Sequence, residues 1–328
     1  MCQKIIIVGD VFFSKNNKSI FFKSIVENLK EYIVIANLEG SINFKKKELV
    51  NKAVNLSIPY FKKSEIPKNL IFSLVNNHIT DFGIDNFYKN IKHFGNKAVI
   101  STQKEVLNII GGKKFIFLAD KKEQCLIRDT NFLSFSNRQI TKISNEIKSS
   151  IVVVHGGLEF RKYPTPYQRA LSRKIIEYGA EKVIFHHSHM VGHHEYWNGK
   201  LIHYGLGNAF FSDVSNLHLL EKSISHGVIC GDNTKIVQLN KLKISNNKKS
   251  NLRLNINNLS HNNYVKFYKR LFPLDSSFRP RQLCIQDTRI NIQYFFWSIV
   301  ADFFVSKKIS KKIKNILKFF LKIKKINK

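Results

Sequence analysis

The sequence predicts an α/β fold over residues 1–240, on three observations. Short apolar runs rich in β-branched residues alternate with segments whose apolar residues recur at helical spacing. The runs are apolar along their length, as strands covered on both faces of a largely parallel sheet are. Carboxylate, amide and imidazole residues follow several runs directly. In such sheets ligands bind in the loops that leave the carboxyl ends of the strands.

The run at 5–8 ends in Gly9-Asp10, and the run at 32–36 leads into Asn37-Leu38-Glu39. The run at 70–75 precedes Asn76-Asn77-His78, and a fourth run lies at 114–118. The run at 150–154 ends in His155, and the run at 182–186 continues into His187-Ser188-His189. The last, at 201–204, precedes Gly205-Leu206-Gly207-Asn208. Helical spacing marks 20–30, 84–94 and 166–178. Around 244–263 the composition turns to Asn, Ser and Lys, the mark of a linker or exposed loop. The expected organisation is a domain over 1–240, a linker over 241–265 and a basic, aromatic-rich appendage over 266–328. No internal repeat interrupts this order.

The chain has 328 residues and a net charge of +31, unevenly spread. Residues 1–240 hold 33 basic and 20 acidic residues, a net of +13; residues 241–328 hold 21 and 3, a net of +18. Hydrophobic residues make up 43%, enough for a sizeable core, which excludes wholesale disorder. Four cysteines, Cys2, Cys125, Cys230 and Cys284, form no C-x-x-C pair, so neither a zinc ribbon nor a disulfide scaffold is expected. The N-terminal apolar run of four is too short for a signal peptide, and no apolar stretch reaches spanning length. The expectation is a cytoplasmic protein.

Seven of the 12 histidines lie between 155 and 203. Asp10 and Glu39 supply carboxylates, Asn77 an amide oxygen, and His155, His187 and His189 imidazole nitrogens. A mixed oxygen and nitrogen set suits one or two divalent ions of the Mn, Fe or Zn kind. Two histidines at i and i+2 in an extended loop point to different sides, so His187 and His189 could serve different ions. His78 is placed to protonate a leaving oxygen. Asp81 either orients His78 or caps the helix beginning near Ile84.

In order the chain reads Gly9-Asp10-Val11, Asn37-Leu38-Glu39, Asn76-Asn77-His78 with Asp81 and Gly83, then His155-Gly156-Gly157-Leu158-Glu159-Phe160. Pro166-x-Gln168, Tyr178-Gly179-Ala180, His186-His187-Ser188-His189-Met190 and Tyr204-Gly205-Leu206-Gly207-Asn208 follow. This pattern, over about residues 4–212, resembles the CapA-like capsule and poly-γ-glutamate synthesis proteins, a branch of the calcineurin-like metallophosphoesterases. The resemblance implies a four-layer α/β/β/α sandwich with a two-metal centre in its strand-end loops. Asp10 would be the first metal ligand, and Glu39 would stand in place of the bridging carboxylate. Asn77, His155, His187 and His189 would complete the set, and His78 would be the general acid. Asn76, Glu159, His186 and Asn208 would line a substrate-binding rim.

Three departures from the pattern stand out. Phe12 sits where related phosphoesterases carry an imidazole, Phe185 and Ser188 alter the expected Gly-His-His-Pro-His, and Gly156 replaces a tryptophan. The resemblance implies a metal-dependent, phosphoesterase-type hydrolase in capsular polysaccharide or poly-γ-glutamate biosynthesis or export. Its substrate would be an anionic polymer or a phosphoester. The alternative is a non-catalytic, metal-binding assembly component of a surface-polymer synthesis complex, which Phe12 and Gly156 favour.

From Lys307 to Lys328 there are ten lysines and no acid. Ile309, Ile313, Ile316, Leu317, Phe320 and Ile323 form an apolar stripe on a helix, so the tail is expected to lie on the anionic inner face of a membrane. Polymer synthesis or export subunits are the other expected partners. The tail has no Arg and no interleaved aromatic platform, which disfavours nucleic acid.

Overall fold

The computed structural model describes residues 4–13, 18–44, 56–120, 130–159, 161–211, 225–231, 234–239 and 254–255. The chain divides into two compact units, Met1–His261 and Asn262–Lys328, and every described residue belongs to the first. The appendage over 266–328, with its lysine-rich tail, lies outside the described residues. Among those described, no helix is long and apolar enough to cross a membrane.

The first half of the unit runs β1 (Lys4–Phe12), α1 (Lys18–Asn28), β2 (Tyr32–Leu38), β3 (Ser41–Ile42), β4 (Ser57–Ile58), β5 (Leu70–Ser73), α2 (Ile84–Phe94) and β6 (Ala98–Val99). It continues through β7 (Asn108–Ile110), β8 (Lys113–Asp120), β9 (Leu133–Phe135), α3 (Asn137–Lys142), α4 (Ser144–Ile147), β10 (Ser150–His155), α5 (Pro166–Glu177) and β11 (Lys182–His186). The last strands are β12 (His194–Trp197), β13 (Lys200–His203), β14 (Asn208–Phe211), β15 (Ser225–Cys230), β16 (Lys235–Leu239) and β17 (Leu254–Asn255).

All seven expected strands form, and they build two large mixed sheets; the apolar runs alone suggested one sheet, the resemblance two β layers. The first has the order β17-β16-β15-β1-β2-β5-β6, with β14 also paired to β1. The second has the order β12-β13-β11-β10-β8-β7, with β9 on β8. Each sheet has a parallel centre and antiparallel strands toward an edge. The stretch expected as a linker contributes β17, which pairs with β16.

Alternation along the second sheet explains why its strands read as continuous apolar runs. Phe115, Phe117, Ile151, Val153 and Ile184 join a cluster with Ile5, Ile7, Val34, Ile35 and Phe72 of the first sheet. Their neighbours Ile116, Leu118, Val152, Val154 and Phe185 pack in a second cluster with Ile140, Ile147, Leu171 and Ile175 of α3, α4 and α5. Successive strand residues face opposite ways, so both faces are buried and both positions are apolar. On the first sheet, Phe21, Phe22 and Ile25 of α1 and Phe87 and Phe94 of α2 belong to the same cluster as the strands.

α5 begins where its sequence says it should. Thr165 Oγ1 accepts from the N–H of Gln168 at 3.0 Å, and the Gln168 side chain accepts from the N–H of Thr165 at 2.8 Å. Pro166 occupies the first helical position, where a missing N–H costs nothing.

Candidate metal centre

The site forms where strand ends of both sheets meet. Asp10, on β1, has Asn37 of β2 and Asn208 of β14 as its direct strand neighbours. The register shifts on either side of Asp10, the kind of irregularity that re-aims a side chain at a sheet rim. Gly9 makes the approach of β14 possible, because a Cβ there would lie 1.9 Å from the Gly207 carbonyl oxygen. Asp10 Oδ1 accepts from Asn37 Nδ2 at 2.8 Å, and its Oδ2 accepts from the backbone N–H of His187 at 3.1 Å. Glu39 follows β2, its N–H bonded to the Val11 carbonyl at 2.9 Å.

Two groups of metal-ligating side chains share Glu39. Glu39, His155 and His187 form one, and Asp10, Glu39 and His189 the other, with ligand atoms within 4.8 Å of one another in each. His187 and His189 therefore fall in different groups. Both adopt positive φ, +86° and +53°, a conformation that non-glycine residues rarely take and that accumulates at functional sites. His155 Nε2 lies 2.9 Å from Asn77 Oδ1, which brings the amide to the first group. His189 donates from Nδ1 to Asn208 Oδ1 at 2.9 Å, leaving Nε2 3.4 Å from Glu39 Oε1. A metal-binding histidine is oriented in this way by a carbonyl on its other nitrogen.

The electrostatics fit a cation. Both Glu39 oxygens are buried without a hydrogen-bond partner. Burial first, then the charges of Asp10, Glu159 and Asp81, push the Glu39 carboxyl well above its ordinary range. A buried carboxylate left like this is costly unless a positive charge neutralises it. Burial, then the neighbouring His187, His186, His189 and His78, holds His155 well below the usual histidine range. It is thus a neutral imidazole at physiological pH, the form that ligates metal.

His78 Nδ1 lies 2.8 Å from Asp81 Oδ2, and its Nε2 faces Glu39 Oε1 at 4.0 Å. The residue at the cap of α2 is Gly83, and Asp81 Oδ2 also accepts from the Leu56 N–H at 2.8 Å.

Comparisons with known proteins bear on the same stretch. The family described as bacterial capsule synthesis protein PGA_cap matches residues 112–213, which include His155, His187, His189 and Asn208. The PGA biosynthesis protein CapA of Bacillus subtilis is 24% identical over 247 residues, 62% of this chain and 62% of that protein. The capsule biosynthesis protein CapA of Bacillus anthracis is 26% identical over 244 residues, 62% of this chain and 58% of its own. The chain is similar to the CapA-like capsule synthesis proteins. It spans about three-fifths of the length of these curated relatives. A crystal structure of a hypothetical protein from Thermus thermophilus matches with a TM-score of 0.41 at 14% identity, over 73% of this chain and 94% of that one.

Three of the four residues expected at a substrate-binding rim are interior. Asn76, fully buried, donates to the Leu38 carbonyl at 2.8 Å and accepts from the His78 N–H at 3.0 Å, so it shapes the loop. His186 faces the Val8 carbonyl at 3.0 Å and joins the two sheets. Asn208 is fully buried behind His189. Their side chains pair with backbone or with His189, which is why none of them faces outward. Only Glu159 is exposed, lining a cavity of about 250 Å³ with Asp120, His155, Gly156, Gly157, Leu158 and His187.

Asn37 and Asp120 were not anticipated. Both follow an apolar run, the signal that singled out Asp10 and Glu39. Asp120 Oδ2 accepts from the Gly157 N–H at 3.1 Å, and a Cβ at Gly156 would lie 2.5 Å from the Asp120 Cβ. The glycine in the tryptophan position is thus a packing requirement of Asp120. Phe12, in the position of the missing imidazole, packs at 5.3 Å on Phe211, whose ring lies edge-on to His189 at 5.2 Å.

Proposed function

We propose that the chain is a metal-dependent hydrolase of the phosphoesterase type, acting in capsule or poly-γ-glutamate biosynthesis, on a four-layer α/β/β/α sandwich. The observation that carries the chemistry is the buried, unpartnered Glu39 carboxylate shared by two groups of ligating residues. The similarity to proteins named for PGA and capsule biosynthesis supports the process. Two clusters of buried apolar residues, one between the sheets and one under α3–α5, support the layered architecture.

Asp10, Glu39, Asn77, His155, His187 and His189 would hold one or two divalent ions. When bound, such an ion supplies Lewis acidity toward phosphoryl oxygens and neutralises the charge that develops there. Asp81 receives the Nδ1–H of His78 and so directs Nε2 toward Glu39, where a protonated ring can give its proton to a leaving oxygen. The cavity beside His155 and His187 offers the place for the substrate, with Asp120 and Glu159 in its wall. We extend the proposal to the lysine-rich tail, which would hold the protein against an anionic membrane.

The test is metal content and turnover of a chromogenic phosphodiester by the full chain. Bound Mn, Fe or Zn, and activity lost in His78→Ala and His187→Ala, are expected. A metal-free protein that stays inactive after addition of Mn²⁺ would reject hydrolysis. Phe12 on Phe211, where related enzymes place a ligand, favours a non-catalytic assembly role as the second reading. In that case Asp10→Ala would leave polymer production intact, and removal of residues 306–328 would abolish it.

A further inference from the structure

We propose that Asn37 couples the two halves of the candidate metal centre by setting the tautomer of His155. The inference rests on the metal-centre reading above and extends it to a residue outside both ligand groups.

Asn37 is fully buried at the end of β2 and is the strand neighbour of Asp10. Its amide nitrogen faces two atoms, Asp10 Oδ1 at 2.8 Å and His155 Nδ1 at 3.3 Å. An amide nitrogen carries two hydrogens and can only donate. His155 Nδ1 therefore accepts, and the neutral ring carries its own hydrogen on Nε2. That N–H points at Asn77 Oδ1, 2.9 Å away.

The orientation of the amide is enforced. Turning it over would set Asn37 Oδ1 against Asp10 Oδ1, two acceptors in contact in a buried site. Asn76 Nδ2, 3.4 Å from Asn37 Oδ1, favours the same orientation from the other side. Asp10 thus dictates which way Asn37 faces, and Asn37 dictates where His155 keeps its proton.

The consequence is a link between the groups. While Asp10 depends on the Asn37 N–H for neutralisation, His155 Nε2 is blocked by a hydrogen and cannot ligate. Asp10, Glu39 and His189 would hold a cation whose charge would offset that dependence. With that charge offset, the Asn37 amide would be able to turn and accept from Nδ1–H, which would open Nε2 beside Asn77. Filling one group favours filling the other, although no ligand other than Glu39 is common to both.

The test uses the metal-free full-length protein. Nitrogen-15 imidazole NMR, with His155 assigned by its loss in His155→Gln, should show the Nε2–H tautomer in the wild type. That preference should be lost in Asn37→Leu, which removes the donor without setting a second carboxylate against Asp10. Calorimetric titration with Mn²⁺ should show the second ion binding about tenfold more tightly than the first in the wild type, within the usual range of site coupling. In Asn37→Leu the two ions should bind independently. A wild-type His155 with its proton on Nδ1, or indistinguishable titrations of two ions into both proteins, overturns the proposal and leaves the metal centre standing. A protein that takes up no Mn²⁺ overturns both. Two coupled ions without phosphodiester turnover uphold the coupling and reject only the hydrolase.

Discussion

Glu39 Oε1 lies 3.4 Å from His189 Nε2, yet neither oxygen of Glu39 accepts a hydrogen bond. The carboxyl is pushed well above its ordinary value of 4.5, chiefly by burial. A raised folded-state pKa means that this group costs nothing below the unfolded value and increasingly destabilises the metal-free fold as pH rises above it. Glu39→Gln should therefore raise the melting temperature of the metal-free protein at pH 7 by a few degrees, about 1–2 kcal/mol. Mn²⁺ at about a hundred times its Kd should stabilise the wild type by about 2.7 kcal/mol and leave Glu39→Gln nearly unchanged. Thermal melts with and without metal decide it. A metal-free variant less stable than the wild type would mean that the carboxylate is already neutralised.

His78 and Asp81 separate chemistry from metal holding. His78 belongs to neither ligand group, and its Nδ1 is taken by Asp81 at 2.8 Å. His78→Ala should lower kcat on a chromogenic phosphodiester by about 10²–10³ with unchanged metal content. Asp81→Asn keeps an acceptor for one of its two bonds and should cost about tenfold. Loss of metal from His78→Ala, measured by elemental analysis, would show that His78 is a ligand instead.

Much of this site was readable because its residues sit where apolar runs end. Asp10, Glu39, Asn77, His155, His187 and His189 were found by that rule, and the structure gathers them from two sheets. The rule places a residue at a strand end and says nothing of which way it faces. The resemblance put Asn76, His186 and Asn208 at a rim, and their side chains are instead buried partners of Leu38, Val8 and His189. The rule also under-counted the sheets, since a run such as 114–118 is apolar at every position whichever two layers cover it. β15 and β16 were missed because they carry His226, Gly227 and Gln238 within their apolar pattern.

A second set of histidines should make the fold acid-sensitive. His203 Nε2 faces His226 Nδ1 at 3.1 Å, and His194 stacks on His203 at 5.8 Å. Burial holds His203 well below the usual range, and burial lowers His226 and His193 to about 4. A histidine with a depressed folded-state pKa binds its proton more readily when unfolded. Its stabilising neutrality is therefore complete above the ordinary value of 6.5 and is lost as pH falls from there toward 4. The melting temperature should be flat from pH 7 to 8 on this account and drop by several degrees between about pH 6.5 and 5. His226→Gln should flatten the acid side. An unchanged acid limb in that variant would remove His226 from the explanation.

Glu195 holds the second sheet to α5. It accepts from Arg169 Nε at 3.1 Å, from Arg173 at 2.8 and 3.2 Å, and from the Tyr204 hydroxyl at 2.8 Å. Burial pushes its carboxyl upward, and the hydrogen bonds and charges of Arg173 and Arg169 outweigh that and leave it below the ordinary value. Arg173 in turn lies over the Trp197 ring at 4.0 Å. Removing the acid strands two guanidinium groups that are mostly shielded from water, so Glu195→Ala should cost about 3 kcal/mol in denaturant unfolding of the full chain. Glu195→Gln keeps the acceptor for Tyr204 and one arginine and should cost about half as much. Arg173→Ala, with its partly exposed side chain, should cost less than Glu195→Ala, because Arg169 still neutralises Glu195. Equal losses for all three would mean that packing of α5 on β12 and β13, and not this ion network, sets the stability of the region.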